Sequence, residues 1–266
     1  MFSLVRSFGS LVILVASVAN AQILHTEDLS LILDSTRTIK GTFLPELEFR
    51  NLKEDLIHFE NRADLSIRAG RSAFTFANKF ELTRFGSETQ VSGGFVYGEF
   101  RSRNERKSIL EYYAQVHWAE ARGLDRKYAG GVNFRWRFFA DERKGLFAGI
   151  GPFYEYEKWN HIGVSDPERI PEGAPPVETE LWKIGAYVSF KYAPTDRVFI
   201  DLSAYYQSRI DAPFDDARLA SSSRITYNFT RHLGLTLVYQ NIYDPKPKVA
   251  IDEVYNDLKL GASINF

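Results

Sequence analysis

The stretch LWKIGAYVSFKY, at residues 181–192, alternates between apolar and polar side chains. One parity carries Trp182, Ile184, Ala186, Val188, Phe190 and Tyr192, and the other carries Lys183, Gly185, Tyr187, Ser189 and Lys191. Because successive side chains of a β-strand point to opposite faces, this pattern predicts a strand with one apolar and one polar face. The following stretch, VFIDLSAYYQSR at residues 198–209, alternates in the same way and predicts a second such strand.

The same alternation recurs along the chain in segments of about ten residues, each ended by Gly, Pro, Asp, Asn or a cluster of charges. Twelve segments follow this rule, at residues 41–50, 56–69, 73–84, 89–100, 110–121, 127–140, 146–158, 180–193, 197–209, 217–229, 233–243 and 255–266. This repetition is typical of an all-β fold, a transmembrane antiparallel up-and-down β-barrel of about 12 strands, which we place at residues 41–266.

The composition agrees with a chain whose apolar face meets lipid. Aromatic residues make up 15% of the sequence, and they concentrate toward both ends of the apolar faces, as the two interfacial girdles of a barrel would require. The absence of Cys excludes disulfides, thiolate metal sites, thiol nucleophiles and a lipid anchor on an N-terminal Cys. A net charge of −1 gives no electrostatic reason to bind nucleic acid.

The last ten residues, DLKLGASINF, predict a final strand that closes the barrel against the first, leaving no edge unpaired. Lys259, Gly261, Ile264 and the terminal Phe266 stand at the offsets of an outer-membrane assembly signal. We therefore expect two partners, the barrel-assembly machinery and the outer-membrane lipid.

The N-terminus reads as a secretory signal peptide over residues 1–21, with Arg6, an apolar run and a small-residue cleavage site at 19–21. Residues 22–40 form a periplasmic N-terminal segment, which is either a short plug or a periplasmic tail. In outer-membrane barrels the periplasmic turns are short and the external loops long. The loop at residues 161–179 is the longest external candidate for a lid or a ligand contact, and its alternative is a solvated loop.

The polar parity carries the candidate functional residues, because it faces the lumen. A turn at Gly70 and Arg71 predicts Asp64 across from Lys79 and Arg62 across from Glu81. A turn at residues 123–125 sets Glu111 opposite Arg137, Tyr113 opposite Arg135 and His117 opposite Gly131. The next turn, at DERKG, sets Arg135 and Arg137 opposite Gly151 and Gly149, and Glu155 opposite Gly131. Opposite charges, and long side chains beside glycines, then indicate a lumen that is filled.

The predicted lumen residues have two interpretations. They are Arg62, Asp64, Lys79, Glu81, Glu111, His117, Arg135, Arg137, Glu155, Glu157, Lys183, Lys191, Arg209 and Arg224. The first interpretation is a structural network of ion pairs, because an unpaired charge away from water is costly. The second is a pore lining; Arg135, Arg137, Lys183, Lys191, Arg209 and Arg224 are the candidates for a continuous basic track.

No catalytic or metal-binding constellation emerges from the sequence. A lipid-facing hydrolase would need a nucleophile hydrogen-bonded to a base. None of His25, His58, His117, His161 and His232 falls on the lipid face with a Ser across from it. Glu155 and Glu157 are explained by the parity of their strand, so that we expect no metal, no cofactor and no catalytic carboxylate pair.

Residues 128–160, YAGGVNFRWRFFADERKGLFAGIGPFYEYEKWN, resemble the salt-induced outer-membrane proteins, a bacterial family of unknown function. The likeness lies in the Gly-Gly strand with Arg135 and Arg137, and in the Gly149-x-Gly151 strand that ends in Glu155 and Glu157. It implies a β-barrel in an outer membrane and no catalytic residue.

The sequence thus predicts an outer-membrane β-barrel of a Gram-negative bacterium. The function we expect is a narrow pore for small solutes or a structural barrel with a charge-paired lumen. The alternatives are an outer-membrane hydrolase of the phospholipase or lipid-modifying type, and a porin specific for anions or oligosaccharides. The sequence does not identify the solute.

Overall fold

The structure, a computed structural model, describes residues 38–51, 55–102, 106–215 and 217–265. The signal peptide predicted at residues 1–21, residues 22–37 of the N-terminal segment and the terminal Phe266 lie outside the described residues.

Twelve strands are formed by the described residues, and each of the predicted segments corresponds to one of them. They are β1 Ile39–Asn51, β2 Asp55–Ala69, β3 Ser72–Phe85, β4 Glu88–Arg101, β5 Ser108–Ala119, β6 Leu124–Ala140, β7 Lys144–Trp159, β8 Val177–Tyr192, β9 Val198–Arg209, β10 Arg218–Asn228, β11 Leu233–Tyr243 and β12 Val254–Asn265. Each strand is antiparallel to its neighbours, and β12 lies beside β1, so that the sheet is a closed barrel. The predicted fold is confirmed.

The two faces of the wall divide as the alternation predicts. On β8, Trp182 and Val188 point outward and are 61% and 51% exposed, whereas Lys183 and Ser189 point inward and are 4% and 2% exposed. A wall of this kind requires an apolar solvent around it, because its outward side chains have no second protein layer. No helix among the described residues is long and apolar enough to cross a membrane.

The two ends of the barrel differ in the length of their connections. One end, here called the turn end, carries the two-residue turn Gly70–Arg71 and the connections at residues 102–107, 141–143, 193–197 and 229–232. The other end, the loop end, carries the long connections at 160–176, 210–217 and 244–253, together with short ones after β1, β3 and β5. The long connections therefore all lie at one end, as expected of a barrel with periplasmic turns and external loops.

The junction between β1 and β12, here called the seam, differs from the prediction. Over the described residues, its ladder consists of Thr42 with Asn265 and Phe43 with Ile264, although β1 pairs with β2 along its whole length. The prediction that closure leaves no edge unpaired is therefore wrong for most of the seam. Pro45, two residues beyond the last pair, has no backbone N–H to donate, and proline in a sheet is tolerated at edges.

Candidate functional site

The strand registers place the predicted lumen residues opposite partners that differ from the predicted ones. In the β2–β3 hairpin Arg62 lies opposite Lys79, and Asp64 lies opposite Ala77, which is two residues away from its predicted partner. The charges pair along each strand instead: Arg62 Nε is 3.4 Å from Asp64 Oδ1, and Lys79 Nζ is 2.9 Å from Glu81 Oε2. The two-residue turn at Gly70 and Arg71 fixes which residues of β2 and β3 lie opposite each other. The predicted partners on β3 lie two residues too far along the chain.

The registers of the β5–β6 and β6–β7 hairpins also differ from the predicted ones. Glu111 lies opposite Asn133 and His117 opposite Lys127, because β5 runs to Ala119 and a short 3-10 turn at Glu120–Arg122 precedes β6. Across the following turn Arg135 faces Gly149, Arg137 faces Phe147, and Glu155 faces Ala129. These registers correct the predicted pairs, while the inward orientation of His117, Arg135 and Glu155 agrees with the prediction.

The lumen near the loop end holds a charge-balanced group, the loop-end cluster. Its members are the cations Lys127, Lys183 and Arg218 and the carboxylates Glu155, Glu157 and Asp244, all buried. Arg218 binds both oxygens of Glu157, with Nη1–Oε1 at 2.8 Å and Nη2–Oε2 at 3.0 Å, and its Nε donates to Asp244 Oδ2 at 2.9 Å. Two parallel hydrogen bonds fix the relative orientation of the planar groups.

The two lysines complete this cluster around Glu155. Lys127 Nζ lies 2.6 Å from Glu155 Oε2 and 3.1 Å from Glu157 Oε1, and Lys183 Nζ donates to Glu155 Oε1. Trp159 Nε1 also donates to Glu157 Oε2, at 3.3 Å. Since three cations meet three carboxylates, this buried group carries no net charge, which lowers the cost of its burial.

A second group, the turn-end cluster, fills the other half of the lumen. Its members are Glu99, Arg101, Glu111, Arg135 and Tyr187. Arg101 Nε contacts Glu99 Oε1 at 2.6 Å and Glu111 Oε1 at 2.8 Å, and Arg135 Nη1 contacts Glu111 Oε1 at 3.0 Å. The Tyr187 hydroxyl donates to Glu111 Oε2 at 2.5 Å and accepts from Arg135 at 2.8 Å. Two arginines therefore balance two glutamates on β4, β5 and β6, and Tyr187 joins them from β8.

Glycines make room for the large side chains of this cluster. A Cβ at Gly149 would overlap the ring of Tyr187, and one at Gly131 would overlap the side chain of Phe153. The Arg135 guanidinium also lies 4.1 Å above the centroid of the Phe147 ring, a cation–π contact. The predicted arrangement of long side chains beside glycines is therefore present, with the partners set by the observed register.

A third group, the seam cluster, lies behind β1 and β12. Its members are Glu60, Arg62, Asp64, Lys79, Glu81, Arg224, Asp257 and Lys259. Lys259 Nζ reaches past β1 to both oxygens of Glu60, at 2.5 and 2.6 Å, and Lys79 Nζ lies 3.5 Å from the same carboxylate. On the turn side of this group, Arg224 Nη2 is 3.5 Å from Asp64 Oδ2. This cluster is charge-balanced like the other two.

Two external loops close the mouth of the barrel above the loop-end cluster. Val164 from the 160–176 loop and Val249 and Ile251 from the 244–253 loop pack with Ala119, Leu124 and Trp159 in one buried apolar group, here called the cap. Val164, in the long loop predicted as either a lid or a solvated segment, is therefore packed in a buried group.

Arg122, in the 3-10 turn between β5 and β6, contacts Tyr255 beside the cap. Its guanidinium carbon lies 3.2 Å from the centroid of the Tyr255 ring, and the side chain is 4% exposed. Burial lowers the pKa of Arg122, and attraction to Tyr255 and Asp244 opposes this effect. Asn160 extends the contact, because its N–H donates to the Gly123 carbonyl at 2.7 Å.

The candidates for a basic track are separated from one another. Lys183 belongs to the loop-end cluster, Arg135 to the turn-end cluster and Arg224 to the seam cluster. Lys191 pairs with Asp201 at 3.4 Å, and Arg209, which is partly exposed, pairs with Asp211 at the loop end. Arg137 lies within electrostatic range of Arg68, Arg101 and Arg135. Five of these six cations thus pair with carboxylates in separate parts of the barrel, and the structure does not bring the six into one continuous path.

Among the described residues, His58 brings a base into contact with a hydroxyl. His58 Nδ1 lies 2.8 Å from Thr83 Oγ1, and its Nε2 lies 3.9 Å from Glu46 Oε1. Both His58 and Thr83 face the lumen, on the side opposite to the one a lipid-facing hydrolase would use. Within the described ranges, no group of three or more His, Asp or Glu is arranged to hold a metal ion.

The sequence prediction missed several members of the clusters, namely Glu60, Glu99, Arg101, Lys127, Arg218, Asp244 and Asp257. Most lie on the inward parity of their strands, so the alternation alone identifies them as lumen residues. What the sequence lacked was the register that joins them to the residues predicted. The assembly-signal residues Lys259 and Gly261 line the lumen, and Ile264 points outward with 40% exposure.

A model of the family described as "Protein of unknown function, DUF481" matches residues 54–266. No curated protein matches the sequence significantly. Among solved structures, the NanC porin covers 85% of this chain and 98% of its own, with 10% identity and a TM-score of 0.45.

Two further solved structures are similar to this chain. The translocator domain of the autotransporter NalP from Neisseria meningitidis covers 85% of this chain and 87% of its own, with 9% identity and a TM-score of 0.42. The outer membrane channel DcaP of Acinetobacter baumannii covers 86% and 94%, with 9% identity and a TM-score of 0.33. Similarity this low transfers no activity. The outward apolar wall and the closed ring of strands are themselves those of an outer-membrane β-barrel.

Proposed function

The chain belongs to the DUF481 family of proteins of unknown function, and we propose that it is a structural outer-membrane barrel. In this proposal the core of the barrel is filled by ion pairs and there is no open pore. The observation that carries the proposal is the set of three charge-balanced clusters, one behind the seam and one in each half of the lumen. The loop-end and turn-end clusters consist of buried side chains with contacts of about 3 Å, as for Arg218 with Glu157, and in the seam cluster Lys79 and Lys259 are partly exposed.

The energetics support a structural role for these charges. Removing one partner from a buried ion pair costs about 3–5 kcal/mol, because the remaining charge is left uncompensated. A solute that passed along the axis would have to separate such pairs in succession. Twelve strands lie between the small barrels whose side chains fill the interior and the large ones that enclose a channel, and here the side chains favour the filled case.

The cap adds a second closure at the loop end. Its apolar residues lie directly above the loop-end cluster and come from two loops far apart in sequence. A solute entering at the loop end would have to pass Val249 and Ile251, which are buried in this group.

Conductance across a planar bilayer tests the proposal. We expect no long-lived open channel from the refolded protein, and none from the variant Val249→Asp/Ile251→Asp, since the clusters below the cap remain. Steady ohmic steps from the unmodified protein would overturn the structural barrel and support the narrow pore. Steps from the cap variant alone would identify a gated pore that the loops close.

The same proposal covers the location of the protein, its export and its insertion into the membrane. We place the protein in the outer membrane of a Gram-negative bacterium, exported by the signal peptide at residues 1–21 and inserted by the barrel-assembly machinery through its C-terminal strand. The resemblance of residues 128–160 to the salt-induced outer-membrane proteins further suggests that its abundance rises with external salt, which immunoblotting of membrane fractions would test.

A hydrolase is the second candidate function, favoured by the contact between His58 and Thr83. Its test is the release of fatty acid from phospholipid vesicles by the refolded protein. We expect none, and activity that disappears in Thr83→Val would establish the enzyme.

A further inference from the structure

The seam is a discontinuity in an otherwise continuous wall. β12 pairs with β11 from Val254 to Ile264, and β1 pairs with β2 from Ile39 to Asn51. Among the described residues, the ladder between β1 and β12 ends at Phe43 and Ile264. The seam is therefore paired at the turn end, and toward the loop end the described residues of the two edges form no ladder pairs.

A cavity lies directly behind this unladdered part of the seam. Its volume is about 90 Å³, and both edges line it, through Leu44 and Pro45 of β1 and Leu260 and Gly261 of β12. A Cβ added at Gly261 would find no heavy atom within 4 Å. The open space thus reaches the backbone of β12 at the seam.

The walls of the cavity are of two kinds. Leu44, Phe95 and Val238 provide apolar surface, while Glu60, Lys79 and Lys259 of the seam cluster provide charged surface. The charges are already paired with each other, at 2.5 Å for Lys259 with Glu60 and 3.5 Å for Lys79 with Glu60. A charged ligand group would have to break one of these pairs, whereas a neutral hydroxyl can add a hydrogen bond to them.

The outer side of the seam faces the hydrocarbon of the membrane. Leu47 is 75% exposed and Leu260 is 57% exposed, one on each edge. Molecules that reach the seam from outside therefore come from the lipid phase. The cavity is smaller than the roughly 150 Å³ that encloses a benzene molecule, so that it admits a small polar head and leaves a long chain outside.

We propose that the seam is a lateral binding site for a neutral single-chain amphiphile from the membrane. Its hydroxyl-bearing head lies in the cavity against the seam cluster, and its alkyl chain passes between β1 and β12 into the bilayer. This site goes beyond the proposed function and does not depend on whether the barrel conducts along its axis.

Cysteine labelling in lipid vesicles tests the site, because the chain has no cysteine of its own. Gly261→Cys places a thiol in the cavity. Ser189→Cys is the matched control, since Ser189 is a buried, inward-facing residue of β8 that does not line this cavity. We expect dodecyl maleimide, which partitions into the bilayer, to label Gly261→Cys at least tenfold faster than Ser189→Cys.

Competition with 1-decanol identifies the ligand class. Decanol should slow the labelling of Gly261→Cys at least fivefold and leave unchanged that of Leu258→Cys, which faces lipid and is 59% exposed. Equal rates at Gly261→Cys and Ser189→Cys would overturn the lateral opening. Equal effects of decanol at Gly261→Cys and Leu258→Cys would overturn the amphiphile site.

A folding control keeps the test decisive. Each variant is first run on a detergent gel without heating, where a folded barrel keeps its compact form. If Gly261→Cys does not fold, Thr236→Cys takes its place, because Thr236 also lines the cavity, is 4% exposed and is close to Cys in size. The same expected and contradicting outcomes then apply to Thr236→Cys.

Discussion

The exchange Glu157→Gln tests the structural role of the loop-end cluster most directly. The Glu157 carboxylate accepts hydrogen bonds from Arg218 at 2.8 and 3.0 Å, from Lys127 at 3.1 Å and from Trp159 at 3.3 Å. Glutamine keeps one carbonyl oxygen and places an amide NH₂ against these donors. The exchange also changes the cluster from neutral to one net positive charge.

The expected loss of unfolding free energy is about 3–5 kcal/mol, the cost of removing one partner from a buried ion pair. With a urea dependence of about 3 kcal/mol/M, this lowers the unfolding midpoint by roughly 1 M or more. The assay is urea unfolding in lipid vesicles, followed by tryptophan fluorescence and by the mobility of the folded form on gels.

Two comparison variants separate burial from charge. Glu178→Gln removes the carboxylate of the exposed ion pair with Lys158, the neighbour of Glu157 on β7, which is 2.7 Å long, and should leave the midpoint unchanged because exposed pairs contribute little. Glu157→Met with Arg218→Met removes one charge of each sign and should recover part of the loss, since Asp244 then lacks its hydrogen bond from Arg218. A midpoint for Glu157→Gln as high as that of Glu178→Gln would refute the reasoning.

Three further predictions concern the cap, the packing of the lumen and the turn end. Arg122→Ala removes the cation stacked on Tyr255 and should loosen the cap by about 2 kcal/mol, seen as faster proteolysis within residues 244–253 with an unchanged barrel core. Gly149→Ala should destabilise the barrel by about 1–3 kcal/mol through overlap with the Tyr187 ring; urea unfolding measures this, and a midpoint equal to that of the unmodified protein would contradict the packing. Backbone N–H groups of residues 143 and 144 lower the pKa of Asp141, so its contribution to stability is present above the unfolded pKa of about 4 and is lost as pH falls through the folded pKa. Asp141→Asn should therefore show a smaller loss of stability between roughly pH 5 and 2 than the unmodified protein, and equal losses would argue against the turn.

The candidate site was predicted in part. The inward orientation of Lys79, Glu111, Arg135 and Glu155 follows from strand parity, and their burial agrees with it. Their partners did not follow, because a register error of two residues, or of four in the β5–β6 hairpin, keeps every side chain on its face and still changes each opposed pair. Glu111 and Arg135 belong to the β5–β6 and β6–β7 hairpins. The 3-10 turn at Glu120–Arg122 and the bulges beside Leu124 and Arg137 fix those registers, and neither has a distinctive signal in the sequence.

The sequence by itself determined the number of strands, their limits to within a few residues and the face that meets lipid. The physical reason is that a period of two is a local property, visible in each segment without its neighbours. Only the tertiary structure decided which charges meet, that two loops separated by some 80 residues form the cap, and that Pro45 lies where the β1–β12 ladder ends. These features depend on the closure of the ring, which brings residues such as Glu60 and Lys259 together across almost the whole chain.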